Sequence, residues 1–300
     1  MAVLEALAQN KTFRGVKTMD NSKDLSSFDI ETILMELSKE RPVFHNESDF
    51  QFSLALKIKK LYSDDNFDVR LEKFYKKEIE VVKGRRRTKR KYIDIVVSHR
   101  PTKKYIAIEL KYKTLDAVIK LRHKIENKSI ELISEQYDLQ KHIAQDYGCY
   151  SVLADVSRIE KLRSFENFLP GYTFEKGYAV LISNDRCYEK QDSRSIFRNY
   201  WLCNSEEENK PIKYKKGTLT FVTNGVPKEE TCAKGYDEIV LEDEYFLKWK
   251  QYSNVALSSA ENLVYPYDET EVPSHKRKRD AFEKRRDFRC LIININKKDN

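Results

Sequence analysis

The chain has 300 residues, enough for one large or two modest domains with a real hydrophobic core. Hydrophobic residues make up 40% and charged residues 35%, and 56 Lys and Arg against 48 acidic residues leave +8, a surplus that matters only where it is clustered. The five cysteines are scattered, form no CxxC pair and so exclude a zinc ribbon or a disulfide scaffold; they suit a reducing cytoplasm. No stretch approaches the roughly 20 apolar residues of a membrane span, and the N-terminal MAVLEALAQNK lacks the basic start of a secretion signal. A cytoplasmic protein without a membrane partner is expected.

Residues 1–27 carry little pattern and read as an arm. Ile30, Ile33, Leu34 and Leu37 recur at helical spacing within 28–40, and Pro42 ends that helix. A second helix is expected over 46–62, with Asn46 as N-cap and a buried stripe of Phe50, Leu54, Ile58 and Leu61. A first strand follows at 68–75. The segment 83–91, KGRRRTKRK, packs seven cations into nine residues; Arg85, Arg86, Arg87, Lys89 and Arg90 are candidates for phosphate contacts in a hairpin or loop, with Lys113 on a nearby strand. A solvated loop is the competing reading. Strands at 92–98 and 104–113, a helix over 136–163 and a buried strand at 177–183 complete an α/β (α+β) pattern with a sheet flanked by helices.

Beyond 185 the signals are weaker. Short strands are expected at 218–223, 237–241 and 288–295, and a second basic run, HKRKRDAFEKRR, occupies 275–286. The division is then 1–40 as arm and first helix, 41–185 as core, and 186–300 as a region that either forms a small second domain or extends the first sheet.

The hairpin 92–113 carries the chemistry. If His99 pairs with Lys104, residues whose numbers sum to 203 lie opposite one another, and Asp94 meets Glu109. Lys111 follows on the face of Glu109, with Val96 and Ala107 beside it, while Ile93, Ile95, Val97, Ile106, Ile108 and Leu110 form the other face. A one-residue slip would mix the two sets, so the apolar face holds the register and forces the charges together. Two facing carboxylates repel unless a cation joins them. Mg²⁺ or Mn²⁺, with its preference for oxygen ligands, water and phosphate, is the expected cofactor. The alternative is a solvent-facing side on which Lys111 simply neutralises the two acids.

At these residues the chain resembles the PD-(D/E)XK nuclease superfamily, whose restriction-endonuclease-like fold sets an Asp on one strand and (D/E)-x-K on the next. The match is Ile93-Asp94-Ile95-Val96-Val97 followed by Ile108-Glu109-Leu110-Lys111, with Ile93 where the family usually has Pro. The resemblance spans roughly 44–183, and the stretch 144–160 is similar to standalone bacterial members. It implies hydrolysis of DNA phosphodiesters, in defence against foreign DNA, with Asp94 and Glu109 holding the metal and Lys111 assisting the attacking water. It also implies an acid from the first core helix, for which Glu47 is the candidate and Glu72 the alternative, and a Gln or Lys from the following helix, Gln145 or Lys141. RNA is the alternative substrate, and a non-catalytic nucleic-acid-binding module on the same fold is the rival from another class. Cutting both strands of a duplex would favour a homodimer.

Overall fold

The computed structural model describes residues 24–82, 85–123, 135–189, 195–202, 212–255, 263–264 and 282–298. The N-terminal arm to residue 23, residues 203–210 and residues 275–281 of the second basic run lie outside them.

Two helices come first. Helix α1 (Ile30–Glu40) is capped by Asp29, whose carboxylate accepts from the Glu31 amide, and stops one residue before Arg41-Pro42. Helix α2 (Glu47–Leu61) starts at Asn46, whose side chain accepts from the Asp49 amide at 2.9 Å as the sequence predicts. Strands β1 (Phe67–Val82), β2 (Arg85–His99) and β3 (Lys104–Lys113) follow as an antiparallel meander. Then come β4 (Ala117–His123), β5 (Glu135–Leu139), α3 (Gln145–Leu162) and β6 (Thr173–Ser183). The remainder contributes β7 (Ile212–Tyr214), β8 (Gly217–Leu219), β9 (Ile239–Leu241), β10 (Tyr245–Leu247), β11 (Trp249–Asn254), β12 (Leu263–Val264) and β13 (Asp287–Asn296).

The protein is mixed α+β. Its central sheet has the order β1-β2-β3-β6-β13-β11, mixed because β3 and β6 run parallel through the α3 crossover while the other neighbours are antiparallel. The sheet separates two cores. Ile33, Leu37, Phe50, Leu54 and Ile58 of α1 and α2 pack on one face, against Ile95, Val97, Ile106, Ile108 and Leu110. Val152, Val156 and Ile159 of α3 pack on the other, against Val96, Ala107, Ala179 and Leu181. Strands β11 and β13 complete the central sheet, so this part of 186–300 extends it; Tyr214, Leu219, Ile239 and Tyr245 of the small hairpins pack on the α3 side.

Three sequence expectations need correction. The helix expected over 136–163 begins only at Gln145, because residues 135–139 pair with β4 and bury Tyr137 and Leu139 on alternate positions. The first strand runs on to Val82 rather than ending at 75; the basic segment from Arg85 onward is its partner strand, the hairpin rather than the loop of the two arrangements expected. Within it Arg90 is exposed; the side chains of Arg85, Arg86, Arg87 and Lys89 fall outside the described residues. Ile93, expected beside Ile95, instead joins the α3-side core while Ile95 joins the other. Strict alternation therefore breaks at Asp94. Glu72, between the pairs Leu71↔Ile95 and Lys73↔Ile93, has φ of 51°, a left-handed conformation that side-chain-bearing residues rarely adopt.

Candidate active site

The hairpin register is the expected one. Pairs run from His99↔Lys104 to Ile95↔Ile108, each summing to 203. The ladder then ends one position short of Asp94 and Glu109. There the Leu110 amide donates to the Asp94 carboxylate at 2.7 Å, a side chain standing in for the missing backbone acceptor. The Asp94 carbonyl accepts from Gln51 Nε2 of α2 at 2.8 Å, and the same amide nitrogen donates to Glu72 Oε1 at 3.0 Å. The parting of β2 from β3 is thus satisfied on both sides and aims the Asp94 side chain into a cleft.

That cleft has a volume of about 510 Å³ and lies between the middle of β2, the C-terminal half of β3 and one face of α3 from Tyr147 to Arg158. Asp94, Glu109 and Lys111 line it together, which rules out the solvent-facing hairpin: Glu109 is only 2% exposed. Helix α3 adds two residues that the sequence pattern did not single out, Asp155 and Arg158, one turn apart. Arg158 Nη1 donates to Glu109 Oε1 at 2.5 Å and its Nη2 lies 3.0 Å from Asp155 Oδ1. Lys111 Nζ sits 2.9 Å from Asp155 Oδ2 and donates to the Leu110 carbonyl at 2.9 Å. Acids and bases therefore alternate across the cleft floor.

Burial raises the Asp94 carboxyl to about 6, against the pull of Lys111 and the Leu110 amide. Glu109 is raised well above the usual range by burial and then by Asp155, with Arg158 opposing. Burial alone would lower Lys111, but Asp155 and Glu47 outweigh it and hold the ammonium charged. Burial is the chief cause of both shifts, and positive charge brought close to either carboxyl opposes it.

Glu47, in the first turn of α2, is not among the residues lining the cleft but lies beside Lys111: its Oε2 accepts from the Tyr112 amide at 3.0 Å and its Oε1 lies 3.8 Å from Lys111 Nζ. Lys113 lines the cleft. Gln145 does not; its amide donates to Asp185 Oδ2 at 2.8 Å, at the end of β6. Lys141 is exposed on the preceding loop, and Glu72 is exposed on β1. Tyr112 is buried on the opposite sheet face, where its hydroxyl accepts from the Phe44 amide. In the second basic run, Arg285 pairs with Asp116 and Arg286 donates to the Val118 carbonyl, so these two cations anchor the start of β13 to the β4 region.

Among the described residues no group of three His, Cys, Asp or Glu side chains is arranged to hold a metal. The donors still suit a hard divalent cation, which commonly takes one or two carboxylates and fills its remaining positions with water and phosphate. The carboxylates that line the cleft are Asp94, Glu109 and Asp155, of which Asp94 and Glu109 are the two the sequence pattern offers as ligands. No helix among the described residues is long and apolar enough to cross a membrane.

No family model matches this chain. No curated protein and no solved structure matches it either.

Proposed function

We propose that the protein is a divalent-cation-dependent nuclease that hydrolyses DNA phosphodiesters, built on a restriction-endonuclease-like version of the mixed sheet. One observation carries the proposal: the β2–β3 ladder parts at Asp94, and Asp94, Glu109 and Lys111 converge there in a cleft closed on its far side by α3. An Asp, a Glu and a Lys held this way have no packing purpose that hydrophobic residues would not serve better.

Asp94 and Glu109 would hold Mg²⁺ or Mn²⁺. The cation, when bound, supplies polarisation of a phosphoryl oxygen and an acidified water. Lys111 stays charged beside Asp155 and presents an ammonium where negative charge gathers on the phosphate. Arg158 bridges Glu109 and Asp155 and offers a guanidinium suited to a phosphate oxygen. Glu47 fixes the α2 end against β3 through the Tyr112 amide. The substrate on this proposal is DNA in the cytoplasm, and cutting both strands would call for a second copy of the chain.

The Glu109–Arg158 pair also favours a second reading, in which Arg158 permanently supplies the positive charge and the fold serves as a non-catalytic nucleic-acid-binding module. Incubating plasmid DNA with the purified protein, with Mg²⁺ or Mn²⁺ and with EDTA, separates the two. Cation-dependent nicking that disappears in Asp94→Asn and Lys111→Ala supports the nuclease. Salt-sensitive binding without cleavage, unchanged by Asp94→Asn, supports the module.

A further inference from the structure

The cleft continues beyond the carboxylates toward the start of α3, and this part of it has its own chemistry. Gly148, Ser151 and Ala154 face it on successive turns, and small side chains there are what leave it open. Tyr147, Tyr150 and Tyr236 stand along it, none of them fully buried. Their positions are fixed: Tyr147 Oη donates to the Cys232 carbonyl at 2.8 Å, Tyr150 Oη donates to the Asp237 carbonyl at 2.7 Å, and the Tyr147 and Tyr236 rings lie 4.9 Å apart. Cations accompany the aromatics, with Lys91 and Lys113 on the strand side.

Ile143 stands at the mouth and is 78% exposed, a large apolar side chain that the described residues leave uncovered. It is not on a slack loop. The His142 amide donates to the Thr114 carbonyl at 2.7 Å, the Thr114 amide donates to His142 Nδ1 at 3.0 Å, and Thr114 Oγ1 donates to the Gln140 carbonyl at 2.7 Å. Ala144, immediately after Ile143, takes φ of 71° as the helix N-cap, a strained choice for a residue with a Cβ. The backbone is held so that Ile143 points outward.

We infer that the cleft takes an unpaired nucleic-acid strand, with bases against the tyrosines and Ile143 as the apolar wedge that separates the entering nucleotide from its stacked neighbour. The inference rests on the nuclease reading of the same site and names its substrate class. Aromatic faces combined with lysines bind single strands without reading sequence. Apolar side chains inserted between base steps unstack them. Glu109, which lines the cleft and is only 2% exposed, is reached more readily by a flexible single strand than by a stacked duplex on this inference.

The test is fluorescence anisotropy in EDTA, so that binding is read without cleavage. The probes are labelled oligo(dT), oligo(U) and a blunt DNA duplex of the same length, about 15 nucleotides. Wild-type protein is expected to bind a single strand about tenfold tighter than the duplex. Ile143→Ser, at an exposed position that does not threaten folding, and Tyr147→Leu are each expected to cut that ratio by about threefold or more. Equal or tighter duplex binding, no binding to any probe, or a ratio that neither variant changes overturns the inference. Tighter capture of oligo(dT) assigns the strand to DNA and tighter capture of oligo(U) to RNA, both within the inference. Loss of cleavage with the single-strand preference intact sinks the nuclease reading alone; cleavage with no such preference sinks this inference alone.

Discussion

Arg158 Nη1 and Glu109 Oε1 are 2.5 Å apart, which places the guanidinium of α3 against the most buried carboxylate of the hairpin. Facing acids need a cation, and here one is built into the chain. The same guanidinium meets Asp155, and Asp155 meets Lys111, so removing any one member leaves a buried charge exposed to its like-charged neighbours.

Arg158→Ala should therefore destabilise the protein by roughly 3 kcal/mol at neutral pH, read from denaturant melts, because Glu109 loses its ion-pair partner among the described residues. Millimolar Mn²⁺ should raise the Tm of this variant more than that of wild type, since cation and guanidinium compete for one carboxylate. An equal Mn²⁺ shift in both proteins would mean that Glu109 does not bind the metal.

Asp94→Asn should be more stable than wild type, and only above acid pH. The Asp94 carboxyl is raised from 3.8 to about 6, so its ionised form costs stability in the fold. That cost is absent below about pH 3.8, grows as pH rises and is complete above about pH 6. Asn keeps an oxygen for the Leu110 amide, so the gain at pH 8 should approach about 2–3 kcal/mol. Melts from pH 3.5 to 8 that show a constant difference would contradict the burial of this charge.

Glu47 gives a graded case. Glu47→Ala removes the acceptor of the Tyr112 amide and should cost about 1 kcal/mol. Glu47→Gln keeps that acceptor and should be nearly neutral in stability, while lowering activity through the lost charge beside Lys111. If both variants melt alike, the Tyr112 contact contributes nothing.

Gly148→Ala tests the close approach that keeps the cleft open. A Cβ there would overlap the Tyr188 hydroxyl, whose ring is buried beneath α3. The expected loss is about 1–3 kcal/mol, with weaker nucleic-acid binding because α3 must shift. An unchanged Tm would show that Tyr188 can move aside freely.

Much of the site was legible because it sits on a single hairpin. The aliphatic alternation of β3 allows one register, and that register brought Asp94, Glu109 and Lys111 together. The helix cap at Asn46 put Glu47 in the first turn of α2, where it stands beside Lys111. Asp155 and Arg158 were not found, because their place depends on where α3 docks, and the apolar stripe of α3 is read from residues on its other side. Starting that helix at 136 rather than 145 also hid β5. Local pattern also missed the break at Asp94, since Ile93 and Ile95 are equally apolar and only the two cores distinguish them.

The most direct measurement is cleavage of single-stranded and plasmid DNA by the wild-type chain and by Asp94→Asn, with Mg²⁺ present and after EDTA. The expected result is cleavage by wild type only when the cation is present, with a loss of about 100-fold or more in the variant. No cleavage by wild type, or equal cleavage by Asp94→Asn, would contradict a hydrolytic centre at the parting of β2 and β3.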